Sequence, residues 1–381
     1  MLRTVVRMAE NAAKRLKTSM EGTAVNPVTI ATHNGHFHAD EALAVHMLRQ
    51  LPAYAGASLV RTRDPSVLAG CHTVVDVGGE YDASRNRYDH HQRTFTTTFP
   101  GRPTKLSSAG LVYLHFGRAL VAQRLGQGKN EEGEDTSVVV SEDYPDVSVV
   151  WEKLYESFIE ALDAHDNGIS TYDPDALAAA GIEKRFSNGG FNLGAMVGRL
   201  NPDWNDPIPS DPVAAQAAED ARFEQASRRI GEEFDRALAY HTKSWLPARA
   251  IVQAAYAKRL EYDPAGRVMV LEGQAVPWKD HLYTLEEEQS EGAEDQNKLL
   301  YVLYPEKPTP DAKWRIQAVP VSKDSFQSRK PLPEPWRGAR DAALDEITGV
   351  PGSVFVHASG FIGGNATFEG VKALAAKACA F

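Results

Sequence analysis

Four short stretches of the chain gather imidazoles and carboxylates: His33-Asn34-Gly35-His36-Phe37-His38-Ala39-Asp40, Asp76 in Val74-Val75-Asp76-Val77, Asp89-His90-His91, and Asp163-Ala164-His165-Asp166. Their nitrogen and oxygen donors suffice for two divalent cations. A pair of such ions is the usual machinery for cutting a phosphodiester with water. Cys71 and Cys379 are the only cysteines, which argues against a disulfide framework and against a Cys-based zinc site. His and Asp remain as ligands, a set that favours Mn²⁺ or Mg²⁺ and also accepts Zn²⁺.

Each cluster suggests a division of labour. His33, His38 and Asp40 fall on a strand-turn-helix junction, where a turn folds donors around one point and a helix start supports anions. Asp40 suits a bridging carboxylate there, and His36 is left outside the ligand set. Asp76 interrupts an apolar strand, where a carboxylate is costly unless paired or metal-bound. Gly78-Gly79 beside it permits close approach of backbone to a ligand. In Asp89-His90-His91, His90 is the metal ligand, Asp89 orients an imidazole or holds the loop, and His91 faces a phosphate oxygen or protonates the leaving group. Asp163 is taken as the ligand of the fourth cluster, and Asp166-Asn167-Gly168 as a turn.

These residues need elements to hold them. Val28–Thr32, Ser58–Arg61 and Thr73–Val77 read as strands, Ala39–Leu51 as a helix. Ser107-Ser108 caps a helix running to Leu125, and Val149–Leu162 is amphipathic. Strands alternating with helices predict an α/β fold whose sheet is mainly parallel, with ligands beyond the carboxyl ends of its strands. His33, Asp76 and Asp89 fall at or just past such ends. Four prolines in 201–212 read as a linker, followed by a connecting helix over Val213–His241 with an apolar stripe from Phe223 to Leu238. Further strands are expected at Arg249–Ala255, Arg267–Leu271, Lys298–Tyr304, Arg315–Val321 and Val354–Ser359. A Gly-rich turn at 360–364 and a closing helix Phe368–Ala380 follow. The expected division is a basic segment 1–27, a catalytic domain 28–200, a linker and connecting helix 201–241, and a smaller α/β domain 242–381.

At 381 residues the chain suits two domains. Its 43% hydrophobic and 24% charged content is that of an ordinary globular protein, and no apolar run is long enough to cross a membrane. Net charge is −10, which argues against a general nucleic-acid coating protein but leaves room for a nuclease with one basic groove. Much of the acid sits in 127–146 and 286–295, both read as solvated insertions. The first twenty residues are instead basic, with Arg3, Arg7, Lys14, Arg15 and Lys17 against Glu10. They are compatible with a mitochondrial presequence, a nuclear-import signal or a plain basic tail.

Taken together, the motifs resemble the DHH phosphoesterase superfamily, and within it the eukaryotic melanocyte-proliferating-gene family of exonucleases. The resemblance rests on Thr32-His33-Asn34-Gly35, Phe37-His38, Asp40-Glu41, Val75-Asp76-Val77-Gly78-Gly79, Tyr88-Asp89-His90-His91, Ser107-Ser108-Ala109-Gly110, Asp163, Asp166-Asn167-Gly168 and Phe355-Val356-His357-Ala358-Ser359-Gly360-Phe361. It spans roughly residues 28 to 375. It implies a DHH-type domain with two ions, usually Mn²⁺, held by His33, His38, Asp40, Asp76, His90 and Asp163. It also implies a C-terminal domain touching substrate through His357, Ser359, Gly363 and Gly364, and 3′-to-5′ RNA exonuclease action in mitochondria or nucleus. His38 departs from the superfamily pattern, which often has Asp there, and this bears on metal identity.

The expectation is therefore a two-metal phosphodiesterase acting on single-stranded RNA or a short oligonucleotide, without a membrane. A hydrolase of pyrophosphate or similar small molecules, and a non-enzymatic metal-binding scaffold, are the competing readings.

Overall fold

Thr29–Thr32 forms β1 of a computed structural model that describes residues 28–128, 132–187, 189–289 and 298–381. Its buried Ile30 and Ala31 sit in a sheet interior, so β1 takes parallel neighbours on both sides. These are β2 (Ser58–Arg61) and β3 (Thr73–Val75). After the short two-residue strand β4 (Tyr81–Asp82), β5 (Arg87–Tyr88) lies parallel to β3, and β4 closes the edge antiparallel to β5. The order is β2-β1-β3-β5-β4, the mainly parallel sheet expected.

Helix α1 (Ala39–Arg49) follows β1 and buries Leu43, Val45, Met47 and Leu48. Helix α2 (Ser108–Gly126) begins at Ser107, whose hydroxyl accepts the Gly110 N–H. The helix expected over Val149–Leu162 is longer and broken: α3 (Pro145–Leu154) passes through a π turn at Tyr155–Ile159 into α4 (Glu160–Asp166). Helix α5 (Leu193–Gly198) precedes α6 (Pro212–Tyr240).

The α6 helix, expected to connect two domains, is a wall of the first. Arg49 donates two hydrogen bonds to Glu224, Ser227 Oγ donates to the Ala42 carbonyl, and the Phe37 and Phe223 rings meet edge-on at 5.8 Å. Its apolar stripe explains this, because a free connector would leave Phe223, Ile230 and Phe234 in water. The chain accordingly divides at Thr242/Lys243 into two compact units.

In the second unit, α7 (Leu246–Ala257) stands where a strand was expected at 249–255. Ala248, Val252, Ala255 and Tyr256 bury one helical face. The sheet joins β6 (Val268–Val270), β7 (Tyr301–Pro305), β8 (Trp314–Ala318), β9 (Ser353–Val356) and β10 (Ile362–Asn365) in the order β6-β7-β8-β10-β9. Only β6 and β7 pair in parallel; the other pairs are antiparallel. The closing helix α8 (Phe368–Ala380) covers one face with Val371, Leu374, Ala375 and Ala378.

Of the expected Gly-rich turn, Gly360 does turn the chain, at φ 73°, whereas Gly363 and Gly364 belong to strand β10. Gly363 and Gly364 are buried because a Cβ at either would press on its neighbours: Leu332 and Val356 at Gly363, Arg315 at Gly364. Segment 1–27 lies outside the described residues, as do 129–131 and 290–297 of the two acidic stretches. Residues 132–139 are exposed, in keeping with a solvated insertion. Glu286 is not: it is buried, accepts the Leu299 N–H at 3.0 Å and pairs with Arg329 at 2.6 Å. Cys71 and Cys379 are both unpaired and buried, and no described helix is long and apolar enough to cross a membrane.

Candidate metal centre

Parallel pairing aligns the ends of β1, β3 and β5, and the next residue of each is His33, Asp76 or Asp89. Asp76 takes the left-handed backbone conformation with φ 56°, a strained position for a non-glycine residue. That conformation turns its carboxylate inward between two imidazoles. Oδ2 lies 3.5 Å from His33 Nε2, and Oδ1 lies 3.5 Å from His90 Nε2. Helix α1 adds Asp40 and Glu41 from its first turn, and the end of α4 adds Asp166.

Three sets of donor atoms arise, each within 4.8 Å: His33, His38, Glu41 and Asp76; Asp76, His90 and His91; and Asp40, His90 and Asp166. Asp76 belongs to two sets and Asp40 to one. Asp40 faces the start of α2 and accepts backbone N–H bonds from Ser108 and Ala109. Burial, then the charges of Asp166 and Asp76, pushes the Asp40 carboxyl well above the usual carboxylate range. Asp76 is buried too, but His33 and His90 hold it below that range. Three crowded carboxylates among imidazoles are a charge arrangement that a divalent cation relieves.

Donor satisfaction agrees. The Nδ1 of His90 and one carboxylate oxygen of Glu41 are buried without a hydrogen-bond partner, while His90 Nε2 is ringed by the Asp166, Asp76 and Asp40 carboxylates. Such groups are rarely left so unless an ion or ordered water completes them. The donor set therefore fits divalent metal.

Asp163 stands apart from these sets. One oxygen accepts from the Ser107 N–H at 2.9 Å and its hydroxyl at 2.7 Å; the other accepts from Tyr155 Oη at 2.9 Å. It is Asp166, assigned to a turn above, that reaches His90 Nε2 at 3.0 Å. Burial pushes the Asp163 carboxyl up to about 7, with Ser107 and Tyr155 only partly offsetting it. A raised acid means that the folded state holds more protons between about pH 4 and 7, so its contribution to stability falls as pH rises through that window. Asp163→Asn should therefore gain in Tm relative to the parent as pH goes from 5 to 8, with Mn²⁺ affinity kept. Asp163→Ala, which strands three donors, should lose about 3 kcal/mol. Calorimetric melts with metal titration check both, and lost metal affinity in the Asn variant would make Asp163 a ligand.

The remaining residues divide by place. Asp89 accepts the Gly79 N–H at 2.6 Å and holds the His91 ring nitrogen at 2.7 Å, raising that imidazole. His38 is largely exposed with Nδ1 3.9 Å from Glu41, and His36 is exposed outside every set. In the second unit His357 and Ser359 bond to each other at 2.9 Å in the exposed turn before β10, and Gly363 and Gly364 lie within that strand.

Residues 29–379 match the model of the family MYG1_exonuc, described as an uncharacterised protein family (UPF0160). The chain is 48% identical over 355 residues to the MYG1 exonuclease of Homo sapiens, covering 92% of this chain and 85% of that one. It is 45% identical over 358 residues to MYG1 protein C694.04c of Schizosaccharomyces pombe, covering 93% and 98%. The chain belongs to the MYG1 family. In this MYG1 member His33, His38, Asp40, Asp76, His91 and Asp166 line a cleft of about 550 Å³, walled by Phe37, Leu162, His165 and by Gly194 and Gly198 of α5. Arg63, which follows β2 and bonds Asn34 Oδ1 at 2.9 Å, lines the same cleft. Reading the sequence missed Arg63, Glu41 and the place of Asp166. A basic side chain just past a parallel strand was the available signal for Arg63.

Proposed function

We propose that this protein is a metal-dependent phosphodiesterase, an exonuclease that removes nucleotides from single-stranded RNA in the 3′-to-5′ direction. The observation that carries the reading is Asp76, strained and buried between His33 and His90, with Asp40 and Asp166 alongside. Relatives at 48% identity bear the name exonuclease.

His33, His38 and Asp76 would hold one divalent ion, and Asp40, Asp76, His90 and Asp166 a second, with Mn²⁺ the first candidate. Bound ions of this kind polarise a phosphate and lower the pKa of water. The protein's own groups do the rest. Gly79 and Asp89 fix His91, and the Asp89 carboxylate raises its imidazole pKa, which suits the ring to donate a proton to the departing oxygen. Arg63, exposed at the cleft, offers a fork to a phosphate. The α2 N-terminus holds Asp40 in place through two backbone N–H groups.

End-labelled single-stranded RNA tests the reading. With Mn²⁺, a 3′ label should appear at once as mononucleotide, while a 5′ label passes through a descending ladder. Immediate release of the 5′ label would reverse the polarity. Cleavage of a dinucleotide but not of long RNA would favour the small-substrate hydrolase, a reading to which the cleft volume and the net charge of −10 lend support.

A further inference from the structure

We infer that Glu41 is a protein ligand of the first ion, alongside His33, His38 and Asp76, which makes the two metal positions chemically unequal. The inference rests on the metal-centre reading above. By sequence Glu41 is an ordinary acid in the first turn of a helix, three residues after His38. One oxygen does what such a residue usually does: Oε1 accepts the His38 N–H at 2.9 Å. The other is unexplained by capping. Oε2 is buried, the side chain has no exposure, and no described group gives this oxygen a hydrogen bond.

Its surroundings point to a cation. Oε1 lies 3.1 Å from His33 Nε2, and Oε2 lies 3.9 Å from His38 Nδ1. Asp76 Oδ2 faces the same His33 nitrogen at 3.5 Å. Arg61 contributes a favourable field but gives Glu41 no hydrogen bond: Nη2 donates to the Gly35 carbonyl at 2.6 Å, and Nη1 lies 3.6 Å from Asp220. Glu41 is thus a buried carboxylate whose capping oxygen also meets His33 and whose uncommitted oxygen faces His38, with one donor atom each of Glu41, His33, His38 and Asp76 within 4.8 Å of one another.

Two imidazoles and two carboxylates make a nitrogen-rich set suited to Mn²⁺, Zn²⁺ or Fe²⁺ and poor for Mg²⁺, which prefers oxygen and water. Asp40, Asp76, His90 and Asp166 make an oxygen-rich set. The first position should therefore keep a transition metal in the presence of excess Mg²⁺, while the second exchanges.

Glu41→Gln tests this, because its amide oxygen still accepts the His38 N–H while the negative charge is gone. Equilibrium dialysis of the full chain against Mn²⁺ should show two ions bound by the parent. In the variant, one site should weaken by about tenfold or more, with loss of the spin-coupled Mn²⁺ pair in electron paramagnetic resonance. Two ions bound with unchanged affinity would overturn the inference. Should the variant not fold, an anomalous difference map of the parent soaked in Mn²⁺ decides: Glu41 Oε2 at about 2 Å from an ion supports it, and an ion without Glu41 in its coordination overturns it. Asp76→Asn separates the two levels. If it too keeps both ions, the metal-centre reading itself falls; if only Glu41→Gln keeps them, the role of Glu41 alone falls.

Discussion

Asp76→Asn is expected to lower kcat on single-stranded RNA by on the order of 10³-fold or more, with the fold retained. Asparagine tolerates the left-handed backbone that Asp76 occupies at φ 56°, so the strand end should keep its shape. Its amide oxygen can still accept from Ser108 Oγ, which donates to Asp76 Oδ1 at 3.3 Å. What disappears is the negative charge that lies within 3.5 Å of both His33 and His90. Because Asp76 serves two donor sets, its neutralisation weakens both at once, whereas loss of His38 or Asp166 touches one. A 10³-fold loss corresponds to about 4 kcal/mol of transition-state stabilisation, within what metal polarisation of a phosphate supplies. Steady-state kinetics with circular dichroism as a fold control checks this. Near-normal turnover would refute the role given to Asp76.

The parts of this molecule legible in the sequence are those where one physical signal dominates. β1 and β3 are short apolar runs that end abruptly in His33 and Asp76, so strand and site announce each other. The closing helix has clean helical spacing and a Thr367 cap, and it runs over Phe368–Ala380 as expected. Arg249–Ala255 has no such clarity. Arg-Ala-Ile-Val-Gln-Ala-Ala alternates about as well as it winds, and only its packing partners make it a helix. Gly363 and Gly364 look like a turn because glycine usually marks one, yet they serve a strand whose neighbours leave no room for a Cβ. Asp163 and Asp166 differ by less than one helical turn. Which of them reaches His90 depends on the π turn at Tyr155–Ile159, which shifts the helical phase and leaves no mark in the residue types. Glu41 was hidden by its own ordinariness, since a glutamate three residues into a helix has a sufficient explanation as a cap. Glu286 opens an acidic run that reads as solvated, while its partner Arg329 is 43 residues away.

Metal affinity should rise steeply with pH, and the cause is again the geometry around Asp76. Burial by itself would lower the His33 imidazole, but Asp76 and Glu41 outweigh it and raise it to about 10. His90 is likewise opposed by burial and raised to about 10 by Asp166 and Asp76. Both rings therefore carry protons at neutral pH in the metal-free protein, and an incoming ion must displace them. For the metal-free fold these raised values mean stability that is fully present below the ordinary imidazole value of 6.5 and is lost as pH climbs through about 10. For metal binding the sign is opposite. Each displaced proton gives about a tenfold gain in affinity per pH unit, so two give up to about a hundredfold. Titration calorimetry with Mn²⁺ at pH 6.5, 7.5 and 8.5, in buffers of different ionisation enthalpy, should show about two protons released. The Tm difference between loaded and metal-free protein should widen over the same range. An affinity independent of pH would mean that the imidazoles are already neutral.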